Sequence, residues 1–490
     1  SEIIQGNNFS NINVSGTTLL YGIYISTDPG QQQQIYQNTI SNITAGTQVC
    51  TGMLIGQTGY CSVYQNLVYN LSGSGLVKGI RTYSAGDSLA RVFSNKVYNL
   101  TTNSTATTSG LLTGIEVDGS LVERFNVRVY NNLVGNLYAP VSNSIDCIRG
   151  LDCSYFGSYG NSEFANNTVF LNAASTGTNF GTSGIHQYAY AISNENRFLS
   201  RNNVVVNLST PNGTGVTAAF RRSSEQQQNF NPYSNRNLYY CGTPSANRVI
   251  YSNSVQNIST LSDYKNYLLG INAGAELNSF SEAVNFLSTL GSNPDFLKID
   301  SSLFSSAEGN AQDIAWLNQD YGFQPRYGNA MYSGSGLAPD LGAWEMNGTG
   351  TPLCSGTPSM ADAQVSNYNP CTDSAFTLYL TQVYGPGTQY QWYNSSDSAS
   401  GYTAIAGATQ SVYIVSNHSD TWYRCNVTCS NGNQTIQSTP VKSDISMMNG
   451  TYTIDNTGAG NFISFAAAIQ ALHCRGTSGP VVFSIPAGQV

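Results

Sequence analysis

Asn66-Leu67-Val68-Tyr69-Asn70-Leu71 is followed by Asn95-Lys96-Val97-Tyr98-Asn99-Leu100, one phrase written twice, with Asn bracketing an apolar centre. Upstream the phrase returns as Asn7-Asn8-Phe9-Ser10-Asn11-Ile12 and Asn38-Thr39-Ile40-Ser41-Asn42-Ile43. Downstream it returns as Asn132-Leu133-Val134-Gly135-Asn136-Leu137 and Asn203-Val204-Val205-Val206-Asn207-Leu208, with weaker copies at Asn167-Thr168-Val169-Phe170 and Asn237-Leu238-Tyr239-Tyr240. Adjacent copies lie about 28 to 37 residues apart, a period typical of stacked repeats. Between them a Gly-aliphatic pair recurs: Gly22-Ile23, Gly52-Met53, Gly79-Ile80, Gly114-Ile115, Gly150-Leu151, Gly184-Ile185 and Gly215-Val216. The alternation after each Gly has a period of two, which makes strands rather than helices. One short strand per face, stacked on the same face of the next unit, predicts a right-handed parallel β-helix over residues 1–260.

Asn suits the corners of such coils because it tolerates left-handed backbone and bonds locally. Stacked on the next Asn, it forms an amide ladder along the axis. Asn42-Ile43-Thr44, Asn70-Leu71-Ser72 and Asn99-Leu100-Thr101 are also glycosylation sequons. Asn returns where the sequon does not, at Asn136-Leu137-Tyr138, so the ladder is the primary reading.

Composition agrees with stacked strands. Only 9% of the 490 residues are charged, against about 25% in ordinary chains. Asn, Ser, Thr, Gly and Tyr carry the polar share instead. The net charge of −8 comes without a basic run, so nucleic acid is not an expected partner. No apolar run is long enough to predict a membrane span. The chain starts with Ser1 rather than Met and reads as a processed or excised piece. Ten cysteines without zinc spacing predict disulfides and an oxidising, extracellular setting.

From about residue 261 the repeat dissolves. Ser279 to Leu290 reads as a short helix, with Phe280, Val284, Phe286 and Leu287 on its apolar side. Residues 261–350 are expected to cover the unpaired strand edges at the end of the solenoid. Residues 351–444 carry Cys371, Trp392 and Tyr423-Arg424-Cys425, the Cys–Trp–Tyr-x-Cys order of an immunoglobulin-like β-sandwich. That pattern predicts a Cys371–Cys425 bridge, with Cys354–Cys429 as a second. Cys50–Cys61 and Cys147–Cys153 are candidate local staples, leaving Cys241 and Cys474 without evident partners. His418 falls in a polar turn, and His473 ends a helix whose N-cap is Ser464 and whose stripe is Phe465, Ala468, Ile469 and Leu472. That helix, followed by a strand, reads 445–490 as the cap and first strand of a further β-helix.

Gly450-Thr451-Tyr452-Thr453-Ile454, Ser478-Gly479-Pro480-Val481-Val482-Phe483, Pro339 to Glu345, and Trp422-Tyr423-Arg424-Cys425-Asn426-Val427-Thr428-Cys429 together resemble large secreted proteins of Bacteroidetes-type bacteria. The resemblance implies tandem β-helix and immunoglobulin-like modules, type IX secretion, and an adhesin-like or surface role. It covers most of the chain and speaks to architecture more than to function.

Chemistry is sought on the outward column two residues after each repeat Gly: Tyr24, Leu54, Arg81, Glu116, Asp152, His186, Thr217. The next outward column is Ser26, Gly56, Tyr83, Asp118, Ser154, Tyr188, Ala219. In a charge-poor chain this gathers Arg81, Glu116, Asp118, Asp152 and His186, beside Tyr83 and Tyr188. Three readings stand open. One is a polysaccharide site with Glu116 and Asp152 as paired carboxylates and His186 alongside. Another is a calcium site from Glu116, Asp118 and Asp152. The third is a solvated face of weak surface ion pairs. The leading expectation is a structural, adhesive spacer whose partners are polysaccharide or other cell-surface material, neighbouring repeats, or copies of itself joined head to tail. A carbohydrate-active enzyme or glycan-binding module is the alternative.

Overall fold

A computed structural model describes residues 2–26, 32–56, 60–84, 89–119, 125–154, 160–189, 197–226, 229–272, 274–334, 336, 338–350, 354, 356–367, 370–371, 374–382, 384, 387–416, 419–429, 433–444 and 447–486. His418 lies outside them. Contacts divide the chain into Ser1–Leu268 with Ala275–Pro352, and Leu269–Gly274 with Leu353–Val490.

The first unit is a parallel β-solenoid with three sheets of 7, 8 and 9 strands. Successive strands in each sheet come from successive repeats, so residues at one repeat position form a column along the axis. In the second sheet, Val68 pairs with Val97 and Val97 with Val134, and Leu71 pairs with Leu100 and Leu100 with Leu137. All six are fully buried. This apolar spine supplies the hydrophobic driving force of the rod.

The two Asn of the repeat do different work. The first forms a buried ladder: Asn38 Nδ2 donates to Asn66 Oδ1, Asn66 to Asn95, Asn95 to Asn132, Asn132 to Asn167, Asn167 to Asn203 and Asn203 to Asn237. Each Oδ1 also accepts a backbone N–H of the previous rung, as in Asn95 N to Asn132 Oδ1 at 3.1 Å. The corner therefore leaves few buried polar groups unsatisfied. The second Asn takes left-handed backbone at Asn11, Asn42, Asn70, Asn99 and Asn136. Its exposed amides bond in the opposite sense, from Asn70 Nδ2 to Asn42 Oδ1 and from Asn99 to Asn70. The expected ladder is thus two ladders of opposite polarity.

The repeat Gly is required by space rather than by φ. A Cβ on Gly79 would meet the Gly114 carbonyl oxygen and Val97 Cγ1, both at 2.5 Å. Gly52, Gly114, Gly150 and Gly184 face the same crowding from Val68, Val134, Val169 and Val205.

Two elements finish this unit. Helix α1 (Leu261–Ile271) is capped by Thr260, whose Oγ1 accepts from Asp263 N at 3.1 Å. Its Tyr264 and Leu268 are buried in the solenoid core, with the Tyr264 ring 4.4 Å from that of Tyr251 on the last parallel rung. Residues 275–350 run along the outer surface of the second sheet, where Phe296, Leu297, Ala307 and Leu341 pack on Tyr98, Leu133, Phe170 and Val206. The expected end cover is therefore α1, and most of 261–350 is a lateral cover. The expected helix at Ser279–Leu290 is absent. Phe280 instead bridges Leu238 in parallel and Phe286 bridges Ile299. The open edge of the second sheet takes Phe280's backbone, with Phe280 N donating to Asn237 O at 2.8 Å. Burial alternates along 281–287, with Val284 and Phe286 packed on the second sheet and Leu287 exposed, so these apolar residues bury from an extended chain and not as a helical stripe.

The second unit holds two antiparallel sheets around one core containing Phe376, Leu378, Trp392, Tyr423 and Cys425. A parallel pair, Met448–Thr453 with Thr477–Ser484, and α2 (Phe465–Arg475) follow. Ser464 caps α2 by accepting from Ala467 N at 3.1 Å. Ala468 is buried, while Phe465 and Ile469 are exposed. No helix among the described residues is long and apolar enough to cross a membrane.

Two disulfides are present, Cys354–Cys429 as expected and Cys371–Cys474. The expected Cys371–Cys425 bridge does not form. Cys371 precedes the strand Phe376–Leu380, whose inward residues Phe376, Leu378 and Leu380 fill the space facing the other sheet. Cys50 and Cys61 are not bridged; they lie on Cys50–Gly56 of the third sheet and Tyr60–Tyr64 of the first. Cys147 and Cys153 are separated by a nearly full strand, roughly 20 Å of extended chain, beyond the reach of a disulfide. Cys50, Cys147, Cys153, Cys241 and Cys425 are buried thiols. Burial pushes Cys50 and Cys147 up to about 12, so neither is a reactive thiolate.

Candidate functional site

The third sheet aligns four expected residues on consecutive rungs: Arg81 pairs with Glu116, Glu116 with Asp152, and Asp152 with His186. Tyr83 and Asp118 are paired in the next outward column, and Tyr188 N donates to Cys153 O at 2.8 Å. The columns then depart from expectation. His186 pairs with Arg221, and Thr217 pairs with Thr182. Ala219, not Gly215, takes the crowded Gly place, since its carbonyl lies 2.8 Å from a Cβ built on Gly184. Arg222, adjacent to Arg221, points inward and is fully buried.

The face is not solvated. Glu116 and Asp152 are 2% exposed and His186 is 3% exposed. Alternation decides which side of a sheet a residue takes, but not what lies over that side. The cover comes from the connections between second and third sheets, which lengthen from 45–49 and 74–76 to 103–111, 139–147, 172–181 and 208–216. These longer connections reach the column. Gly110 lies against Arg149, Asp146 enters the network, and the Val216 carbonyl accepts from Arg221 Nη2 at 2.8 Å.

Four cations, Lys78, Arg81, Arg149 and Arg221, meet four carboxylates, Glu116, Asp118, Asp146 and Asp152. Lys78 Nζ pairs with Glu116 Oε2, and Arg81 Nε lies 2.9 Å from Glu116 Oε1. Arg81 Nη2 reaches Asp118 at 2.8 Å. Arg149 bridges Asp146 and Asp152, both at 2.9 Å. The second Asp152 oxygen lies 2.7 Å from His186 Nδ1, and Arg221 Nε is 3.2 Å from Asp146.

Burial opposes ionisation of Asp152, but Arg149 and His186 outweigh it and hold the carboxyl below its ordinary range. For Asp146 the same burial is outweighed chiefly by Arg221 and Arg149. At Glu116 burial wins, helped by the Asp152 charge, and the carboxyl is raised against the pull of Lys78 and Arg81. The network is therefore closed on itself. The calcium reading loses its ligands: Glu116, Asp118 and Asp152 each already hold a cationic side chain. Among the described residues no group of three or more His, Cys, Asp or Glu is placed to hold a metal ion.

A feature that the sequence reading did not single out lies on the outer face of the first sheet. Tyr36, Tyr64, Phe93 and Tyr130 stack on successive rungs at 4.7, 4.8 and 4.7 Å, nearly parallel. Their identical place in each repeat, two residues before the ladder Asn, was the available signal. Stacking covers both faces of Tyr64 and Phe93, so these rings offer only edges to a ligand.

No protein-family model matches the chain, and no curated protein and no solved structure is found to match it.

Proposed function

We propose that the chain is an extracellular structural and adhesive repeat protein, a rigid spacer that extends or presents material outside the cell. The observation that carries the reading is the self-satisfaction of the solenoid's polar groups. Amide bonds to amide and guanidinium to carboxylate from rung to rung, which gives a stiff rod whose charged face is spent on its own structure. The two disulfides fit an extracellular location. The solenoid is read as right-handed, the hand of nearly all parallel crossovers. Trp392, Tyr423 and Cys425 in one core favour the immunoglobulin-like sandwich for 351–444. The pairing of Thr451 with Val482 repeats the step of 31 residues that separates Asn7 from Asn38, which favours α2 as the cap of a further β-helix. Type IX export rests on the sequence resemblance alone.

The alternative, catalysis at Arg81-Glu116-Asp152-His186, has little support from the geometry. A glycosidase needs two reachable carboxyl groups flanking the scissile bond, and these two are buried and bound. The test has two parts. Protease shaving of intact producing cells is expected to release fragments of the chain, and incubation with a polysaccharide panel is expected to release no product. Protection from the protease would overturn the surface reading. Product formation abolished by Glu116→Gln would overturn the structural one.

A further inference from the structure

The outer face of the first sheet carries a group of solvent-accessible polar side chains, several of which have no partner among the described residues. Gln32, Gln33, Gln34, Tyr60, Ser62, Tyr64, Arg91 and Phe93 line a cleft of about 390 Å³, within the size range of small-ligand sites. Strand register builds it. Gln32 lies beside Tyr60, Gln34 beside Ser62, Ser62 beside Arg91, and Tyr64 beside Phe93. Tyr64 and Phe93 are held by the aromatic stack and form a fixed wall. The Tyr64 hydroxyl donates to Gln34 Oε1 at 3.2 Å, which leaves the Gln34 Nε2 as the outward donor.

The remaining groups are uncommitted. Among the described residues, Arg91 makes no hydrogen bond or ion pair through its guanidinium, in contrast to the paired Arg81, Arg149, Arg201, Arg221 and Arg326. The Gln32 amide and the Ser62 and Tyr60 hydroxyls likewise have no partner among the described residues. Tyr60 is 50% exposed and has no ring neighbour among the described residues, so it keeps an open aromatic face. In a chain of net charge −8, a part-exposed guanidinium that holds no carboxylate is free to take an anionic ligand as a two-point partner. Amides and hydroxyls beside it suit a ligand rich in hydroxyls, and the Tyr60 face suits the C–H side of a sugar ring.

We propose that this cleft binds an acidic saccharide, a short stretch of polysaccharide carrying ring carboxylates. The carboxylate takes Arg91 as a two-point partner, the ring lies against Tyr60, and Gln32, Gln34 and Ser62 take its hydroxyls. This inference stands apart from the spacer reading, since a spacer lacking this cleft would remain a spacer, and binding here requires no catalysis.

The test is calorimetric titration of the intact chain with short oligomers of galacturonate, of guluronate and of hyaluronan, each compared with its methyl-esterified form. At least one acid form is expected to bind, its ester to bind about tenfold or more weakly, and added salt to weaken the acid form. Arg91→Gln is expected to erase the acid–ester difference. Tyr60→Ala is expected to weaken both forms, and Tyr138→Ala, an exposed tyrosine on the second sheet, to change neither. Unchanged melting temperatures confirm that the variants fold; should Arg91→Gln melt early, Arg91→Lys, which keeps the charge without the fork, is expected to weaken the acid form selectively. No binding by any acid form, equal binding of acid and ester, or equal binding of poly-glutamate would each overturn the proposal.

Discussion

At Gly114 a methyl group would meet Val134 Cγ1 at 2.4 Å and the Gly150 carbonyl oxygen at 2.6 Å. The side chain could shift, but the carbonyl belongs to the next rung and could not without moving the stack. Gly114→Ala is therefore expected to destabilise the first unit by about 1–3 kcal/mol, read as a lower denaturant midpoint. Val134→Ala added to it is expected to recover only part of that loss, because the carbonyl contact remains. The same scale governs Asp152, which holds Arg149 and His186 where water cannot replace it. Asp152→Asn keeps the shape and removes the charge, leaving a buried guanidinium short of its partner. A loss on the order of 3 kcal/mol is expected, with no change in polysaccharide binding at the first sheet. A variant as stable as the parent would show that the charged column contributes nothing to the fold.

The buried Asn ladder is an element with a direction. Every Nδ2 donates onward, so the last member needs an acceptor from outside the ladder. Asn237 Nδ2 donates to both oxygens of Glu276 at 3.1 Å, and Tyr239 donates its hydroxyl to one of them at 3.1 Å. Glu276 is fully buried, and burial raises its pKa to about 7 in spite of the Ser279, Asn237 and Tyr239 hydrogen bonds. A carboxyl whose folded pKa exceeds its unfolded one binds its proton more tightly in the fold. Its contribution is therefore fully present below the ordinary carboxyl range and is lost as pH rises through about 7. The span corresponds to stability on the order of 3 kcal/mol. Asp146 and Asp152 are shifted the other way, so their contribution is lost only as pH falls below the ordinary aspartate value near 3.8. Denaturant melts of the parent are expected to weaken from pH 5 to pH 8. Glu276→Gln is expected to reduce that slope, leaving the part due to Glu116, Asp340 and Glu345, which burial also raises, and to leave the acid limb below pH 4 unchanged. A parent curve flat across that range would refute the assignment. Legibility follows the same physics. The Asn and Gly columns were readable because each is required at every rung by a local condition, a corner or a crowded backbone. Glu276 was not readable, because one carboxylate ends the ladder and nothing repeats it. The cover over Glu116 and Asp152 was missed because it depends on loop length, not on alternation. Helix α1 did carry its signal, the Thr260-Leu261-Ser262-Asp263 capping box.

For the whole molecule, the two units are stabilised by different means. Stacking against both neighbours holds each solenoid rung, so its stability sums along the axis, and no disulfide is found among its described residues. The second unit carries both bridges, spanning 75 and 103 residues. Closing loops of that size removes about 4–5 kcal/mol of unfolded-state freedom each in the chain-entropy model. Calorimetry is therefore expected to show two transitions, of which reductant lowers only the one belonging to the second unit. Two serine variants locate the effect. Cys474→Ser breaks the long bridge and should reproduce much of the reductant's shift. Cys425→Ser alters a buried thiol beside Trp392 and should cost only the small penalty of a core substitution. The opposite ranking would mean that Cys425 rather than Cys474 pairs with Cys371, returning the second unit to the inter-sheet bridge of an ordinary immunoglobulin-like domain and untying α2 from it.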